Sequence, residues 1–142
     1  MKIKIQILTM ALLSFFSCKK HSESPKESML NTISTSWVAE SVMNEPDGNI
    51  TFEYTDFTIT FVKKSSNGFD GEYYINNGSY AFPEASGKWS LSDDLKTLHF
   101  DDTQDISIDY SNDRLKLDFT LTAQSGRTNG LTGHFIFVLK KD

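Results

Sequence analysis

The chain has 142 residues, of which 38% are hydrophobic and 13% aromatic, with 11 Phe, one Cys and a formal net charge of −5. That length suits a single domain with one core, and its acidic balance repels phosphate backbones, so nucleic acid is excluded as an expected partner. A lone cysteine also excludes an intramolecular disulfide.

Lys2 and Lys4 precede an apolar run from Ile5 to Phe16, followed by Ser17 and Cys18. A positive start, a short apolar core and a small residue before a processing point make a secretory signal. The run is interrupted by Gln6, Thr9 and Ser14, and it falls short of the ~20 apolar residues that a spanning helix needs. The alternative is a buried amphipathic helix of the folded domain. Phe15-Phe16-Ser17-Cys18 resembles the lipobox of bacterial lipoproteins, with Phe15 where leucine is usual. The resemblance implies cleavage before Cys18, acylation of that cysteine, and attachment to a membrane of a Gram-negative envelope, the outer membrane being expected. An ordinary secreted protein with an incidental cysteine is the bland alternative. Two or more acyl chains anchor stably where one is marginal, so no transmembrane helix is required.

Removing residues 1–17, which carry two lysines and no acids, leaves 12 basic against 19 acidic side chains and a net charge of −7. Such a balance fits a soluble, monomeric surface domain. Lys19 to Ser28 is polar without large apolar residues and is predicted to be a flexible tether. Lys19-Lys20 is a weak signal for anionic lipid. The expected organisation is a signal over 1–17, Cys18 and tether over 18–32, and a folded domain over 33–142.

Past the tether a period of two dominates. Ser36 to Val42 reads as a first strand, with a turn at Asp47-Gly48. Thr51 to Val62 reads as a longer extended segment with Phe57, Ile59 and Phe61 on one face. Asn67-Gly68 and Asp70-Gly71 punctuate the chain before Tyr73-Tyr74-Ile75, and Asn76-Asn77-Gly78 closes that strand. Pro83 breaks pairing ahead of Gly87 to Leu91, and Asp93-Asp94 turns into Thr97 to Phe100. Ile106, Ile108 and Tyr110 share a face, followed by a turn at Ser111-Asn112-Asp113. Leu115, Leu117, Phe119 and Leu121 alternate with polar residues in the clearest strand. A polar loop over 124–130 leads to His134 to Leu139, apolar on both faces as for a strand covered on each side. These segments predict an all-β domain of about eight antiparallel strands, an up-and-down barrel first and a β-sandwich second. The expected inward set is Phe57, Ile59, Phe61, Trp89, Leu91, Leu98, Phe100, Ile106, Ile108, Leu115, Leu117, Phe119, Phe135 and Phe137.

Little in the chain points to catalysis. His21, His99 and His134 lack a second ligand at a metal spacing, and the latter two read as solvated strand residues. The aspartates at 93, 94, 101, 102, 105 and 109 form no EF-hand pattern and suit turns for backbone reasons. No Gly-x-Ser-x-Gly elbow occurs. No catalytic residue, metal site or cofactor is therefore expected. Phe57, Phe61, Trp89, Leu117, Phe119, Phe135 and Phe137 would line a pocket for a small apolar ligand, or equally fill a core.

Trp37 early in the first strand, Gly87-Lys88-Trp89-Ser90-Leu91-Ser92 before Leu98-His99-Phe100, and the apolar closing strand after Gly133 form a recognisable sequence of features. In them the chain resembles the lipocalin-like domains of small Bacteroidetes lipoproteins. Thr35 stands where lipocalins carry glycine, and Lys140-Lys141 where they place an arginine. The resemblance implies a lipocalin-like barrel. Two functions follow as expectations: a non-enzymatic envelope lipoprotein acting through its surface or loops, or a carrier of a small apolar ligand inside the barrel.

Overall fold

The structure, a computed structural model, describes residues 22–65, 68–78, 80–101, 104–122 and 132–142. Cys18, the signal expected at 1–17 and the loop expected at 124–130 lie outside the described residues. One helix, α1 (Pro25–Ile33), leads into β1 (Ser36–Glu45) and β2 (Gly48–Asn49). A 3-10 helix (Thr51–Tyr54) precedes β3 (Thr58–Lys63), β4 (Asp70–Asn76) and β5 (Ser86–Leu91). The chain ends with β6 (Thr97–Phe100), β7 (Gln104–Ser111), β8 (Arg114–Leu121) and β9 (Gly133–Lys141).

From β3 to β9 each strand pairs antiparallel with the next, and β1 pairs with both β3 and β9. Eight strands thus close into an up-and-down barrel, with β2 a short return at the tip of β1. The closing seam runs from Trp37 opposite Lys141 to Glu45 opposite His134 and removes the free edges that invite aggregation. Alternation in the sequence is the cause of this shape: every second residue is buried in β4, and in β8 from Leu115 to Phe119. All fourteen residues of the expected inward set are buried.

Local chemistry explains the corners. β7 and β8 are joined through Asn112 (φ 52°) and Asp113 (φ 58°). Positive φ at both central residues is the condition of a type I′ hairpin turn, whose twist matches its strands. In β1 the register against β9 slips between Ala39 and Ser41, and this bulge bends the strand from β3 toward the seam. The extra residue, Glu40, takes a two-point contact from Arg114 of β8, with Nη2 at 2.9 Å from Oε1. Gly71 has no room for a side chain. A Cβ there would lie 2.0 Å from the Val62 carbonyl oxygen and 2.8 Å from Nε1 of Trp89, whose indole donates to the Glu72 carbonyl at 3.0 Å.

Three expectations need correction. The tether predicted over 18–32 is helical from Pro25 onward, and the folded part begins there rather than at residue 33. Ser24 caps the helix by accepting from the Glu27 amide at 3.2 Å, and Pro25 suits the first helical position. A nine-residue helix is marginal alone; this one is held by burying Leu30 and Ile33 against the barrel end. The Trp37 indole donates to the Ile33 carbonyl at 3.0 Å, and Lys26 meets Asp93 at 2.6 Å. Second, the extended segment expected from Thr51 begins as a 3-10 helix. Ile50, Tyr54 and Phe57 are buried at spacings of four and three, and alternation starts only at Phe57. Third, β9 is not covered on each side. Ile136 and Val138 face outward and are half-buried, beside β1 and β8 in the same sheet.

Candidate functional site

The residues proposed to line a pocket do converge in the barrel interior, and they meet one another there. Near the end covered by α1, Phe61 stands edge-on to Trp89 at 5.6 Å and to Phe100 at 6.1 Å, while Phe100 stacks on Tyr73 at 4.2 Å. Toward the opposite end, Phe137 lies 5.1 Å from Phe57 and 6.0 Å from Phe119, and Phe119 stacks on Phe135 at 5.7 Å. Leu117, fully buried on β8, sits opposite Ile108 and Phe137.

Part of that filling comes from outside the strands. The β4–β5 connection turns back at Gly78, whose carbonyl accepts from the Phe82 amide at 3.2 Å. A Cβ at Gly78 would meet the Phe82 Cβ at 2.9 Å, so only glycine lets the connection fold this tightly. Phe82 then enters between Phe57, Phe119 and Phe137, with centroids at 5.5, 5.1 and 5.2 Å. Tyr54 from the 3-10 helix closes the same end at 5.0 Å from Phe137. These two plugs were not anticipated in the sequence. The signal for Phe82 was the apolar triplet Tyr80-Ala81-Phe82 before Pro83, in a stretch otherwise marked as a turn.

This end of the barrel, the mouth, is polar at its rim. The Tyr80 hydroxyl donates to Glu53, which pushes its phenol up to about 12. Burial, chiefly, drives the Tyr54 phenol up further. Asn44 is the one buried polar or charged side chain among the described residues, at 1% exposure, and donates through Nδ2 to Asp47 at 3.1 Å. Its carboxamide oxygen has no hydrogen-bond partner among the described residues and presses on Gly133, where a Cβ would lie 2.3 Å away.

On the outer wall, His99 meets Asp105 across β6 and β7 at 2.6 Å. His134 sits between Asp118 of β8, at 2.6 Å from Nε2, and Glu45 of β1, at 3.4 Å from Nδ1; Lys116 meets the other oxygen of Asp118 at 3.0 Å. Both ring nitrogens are engaged, leaving none for a metal. Among the described residues no group of three or more His, Cys, Asp or Glu is placed to hold a metal ion. A shallow groove of about 290 Å³ also opens on this wall, lined by Glu72, Tyr74, Ser86, Gly87, Lys88 and Asp101.

The hydrogen bonds to Asp118 and then Glu45 hold the imidazolium of His134 above its ordinary range. The sign follows from linkage: stability from a raised histidine is complete below the unfolded value of about 6.5 and is lost as pH rises through the folded value. Urea midpoints measured from pH 5 to 9 are therefore expected to fall across that window, with a flatter profile in His134→Gln. A His134 ring titrating at or below the ordinary histidine value of about 6.5 would contradict the assignment.

No model of a known protein family matches the chain, and no curated protein matches it in sequence.

Proposed function

We propose that this protein is a lipid-anchored, lipocalin-like lipoprotein of a Gram-negative cell envelope, non-enzymatic, which acts through its exterior and loops rather than by carrying a ligand. One observation carries the second half of that reading: the barrel's interior is occupied by its own rings, with Phe82 inserted from a connection to complete the packing. An eight-stranded barrel is just wide enough to be filled by side chains or to hold one small ligand, and dense packing of large residues favours the first. The anchor rests on the lipobox-like Phe15-Phe16-Ser17-Cys18. Among the described residues no helix is long and apolar enough to cross a membrane.

A second reading is favoured by the origin of Phe82. A ring supplied by a connection can leave without unpairing a strand, and it would then expose space bordered by Phe57, Phe119 and Phe137 for a small apolar ligand. The two are separated by titrating the delipidated protein with fatty acids and an apolar fluorescent dye. No saturable binding is expected for the native chain, whereas Phe82→Ala is expected to admit benzene, as engineered apolar cavities do. Saturable micromolar fatty-acid binding by the native chain, weakened in Leu117→Trp, would establish the carrier reading instead.

A further inference from the structure

The two ends of the barrel differ in charge and in their distance from the anchor. Strand direction puts α1, the 63–70 and 92–96 segments, the 112–113 turn and the final residues 140–142 at one end. The mouth gathers residues 45–57, 77–85 and 101 at the other. Described residues of the α1 end, counted from Ser22, include Lys26, Lys63, Lys64, Lys96, Lys140 and Lys141, six cations against seven acids. The mouth segments contain six acids, Glu45, Asp47, Glu53, Asp56, Glu84 and Asp101, and no Lys or Arg among the described residues. Lys19 and Lys20 follow Cys18 in sequence and lie outside the described residues.

Reach adds a second constraint. Residues 19–24 separate Cys18 from α1, and six residues span at most ~22 Å fully extended. The α1 end therefore cannot leave the vicinity of an anchored lipid, while an eight- to ten-residue strand length separates the mouth from it. Phe69, 46% exposed with Lys26 Nζ 4.3 Å from its ring centroid, provides an aromatic and a cation together at this end. An exposed Phe can bury its ring at the headgroup–acyl boundary, and basic residues near an anionic surface are attracted to it.

We propose that the α1 end is a lipid-facing surface that rests on anionic headgroups through Lys63, Lys64, Lys96 and Phe69, and so directs the acidic mouth away from the membrane. This rests on the reading of Cys18 as the lipid attachment point. Orientation comes from the difference between the ends: near an anionic bilayer the mouth, with six acids and no described cation, is repelled more strongly than the α1 end, whose seven acids are nearly balanced by six lysines. The contact is electrostatic and is therefore weakened by salt.

The test uses the protein purified from membranes and reconstituted into vesicles of phosphatidylglycerol and phosphatidylethanolamine, or of phosphatidylcholine alone. Amine acetylation is followed residue by residue by mass spectrometry. In anionic vesicles Lys63, Lys64 and Lys96 are expected to react several-fold more slowly than in phosphatidylcholine, with Lys88 and Lys116 unchanged and protection lost in high salt. Equal or greater protection of Lys88, or no lipid-dependent protection at any lysine, would overturn the proposal. A chain isolated without lipid on Cys18 would instead refute the anchor. The orientation is then read in the same way after coupling Cys18, the only thiol in the sequence, to a maleimide lipid.

Discussion

Phe137→Ala is expected to lower the unfolding free energy by ~3–5 kcal/mol, the cost of removing a fully buried Phe from a packed core. The side chain is fully buried and touches rings from four other sources: Tyr54 at 5.0 Å, Phe57 at 5.1 Å, Phe82 at 5.2 Å and Phe119 at 6.0 Å. It therefore joins β9 to the 3-10 helix, the start of β3, the β4–β5 connection and β8. Strand pairing does not let β9 move inward to refill the gap, because its backbone is fixed to both β1 and β8. Since a domain's net stability is commonly ~5–15 kcal/mol, the loss is a large share of the total. Urea unfolding with an unchanged slope measures it, the slope guarding against a change in the unfolded state. Phe137→Leu retains most of the volume and is expected to cost well under half as much. A loss below ~1 kcal/mol for the alanine variant would mean that the interior is loosely filled.

Cys18→Ala is expected to move essentially all of the protein out of the membrane fraction, either as a soluble form or as an unprocessed precursor. Stable attachment requires two or more acyl chains, and in this reading all of them depend on the one thiol. The lysines of the α1 end orient an anchored domain but cannot replace the anchor, because the chain without residues 1–17 still carries a net charge of −7. Fractionation before and after a high-salt wash separates the two contributions. A variant that stays with the membranes after the wash would show that Cys18 is not the point of attachment.

What the sequence revealed and what it hid divide along physical lines. Each strand of the barrel has one face against the core, so alternation in segments such as Leu115-Lys116-Leu117-Asp118-Phe119 announced both the strand and its inward residues. The signal failed where burial did not follow a period. α1 buries only Leu30 and Ile33, too few positions for a helical pattern, inside a stretch whose polarity suggested a tether. Tyr54 and Phe82 lie in connections; burial of Phe82 depends on a fold-back at Gly78 that no local period encodes, and Tyr54 is buried from a 3-10 helix where an extended segment was expected. The outward Ile136 and Val138 misled in the opposite sense, since hydrophobic side chains on one exposed face mimic a strand buried on both.

The seven residues proposed as pocket lining are all buried, but sequence could not say whether space remained between them. Side-chain size was the one clue, as few small residues occur in the set. His134 was read as a solvated strand residue and does lie on the outer wall. Its bridging of β8 and β1 depends on the closing seam, which joins Glu45 and His134 across 89 positions of sequence.

Native mass spectrometry of the protein released from its own membranes tests the central claim most directly, because one spectrum reports both the anchor and the contents of the barrel. The predicted result is the mass of residues 18–142 plus a diacylglyceryl group and an amide-linked acyl chain, with no small molecule retained as the detergent is stripped. An unacylated chain, or an apolar molecule held at one per barrel, would contradict it.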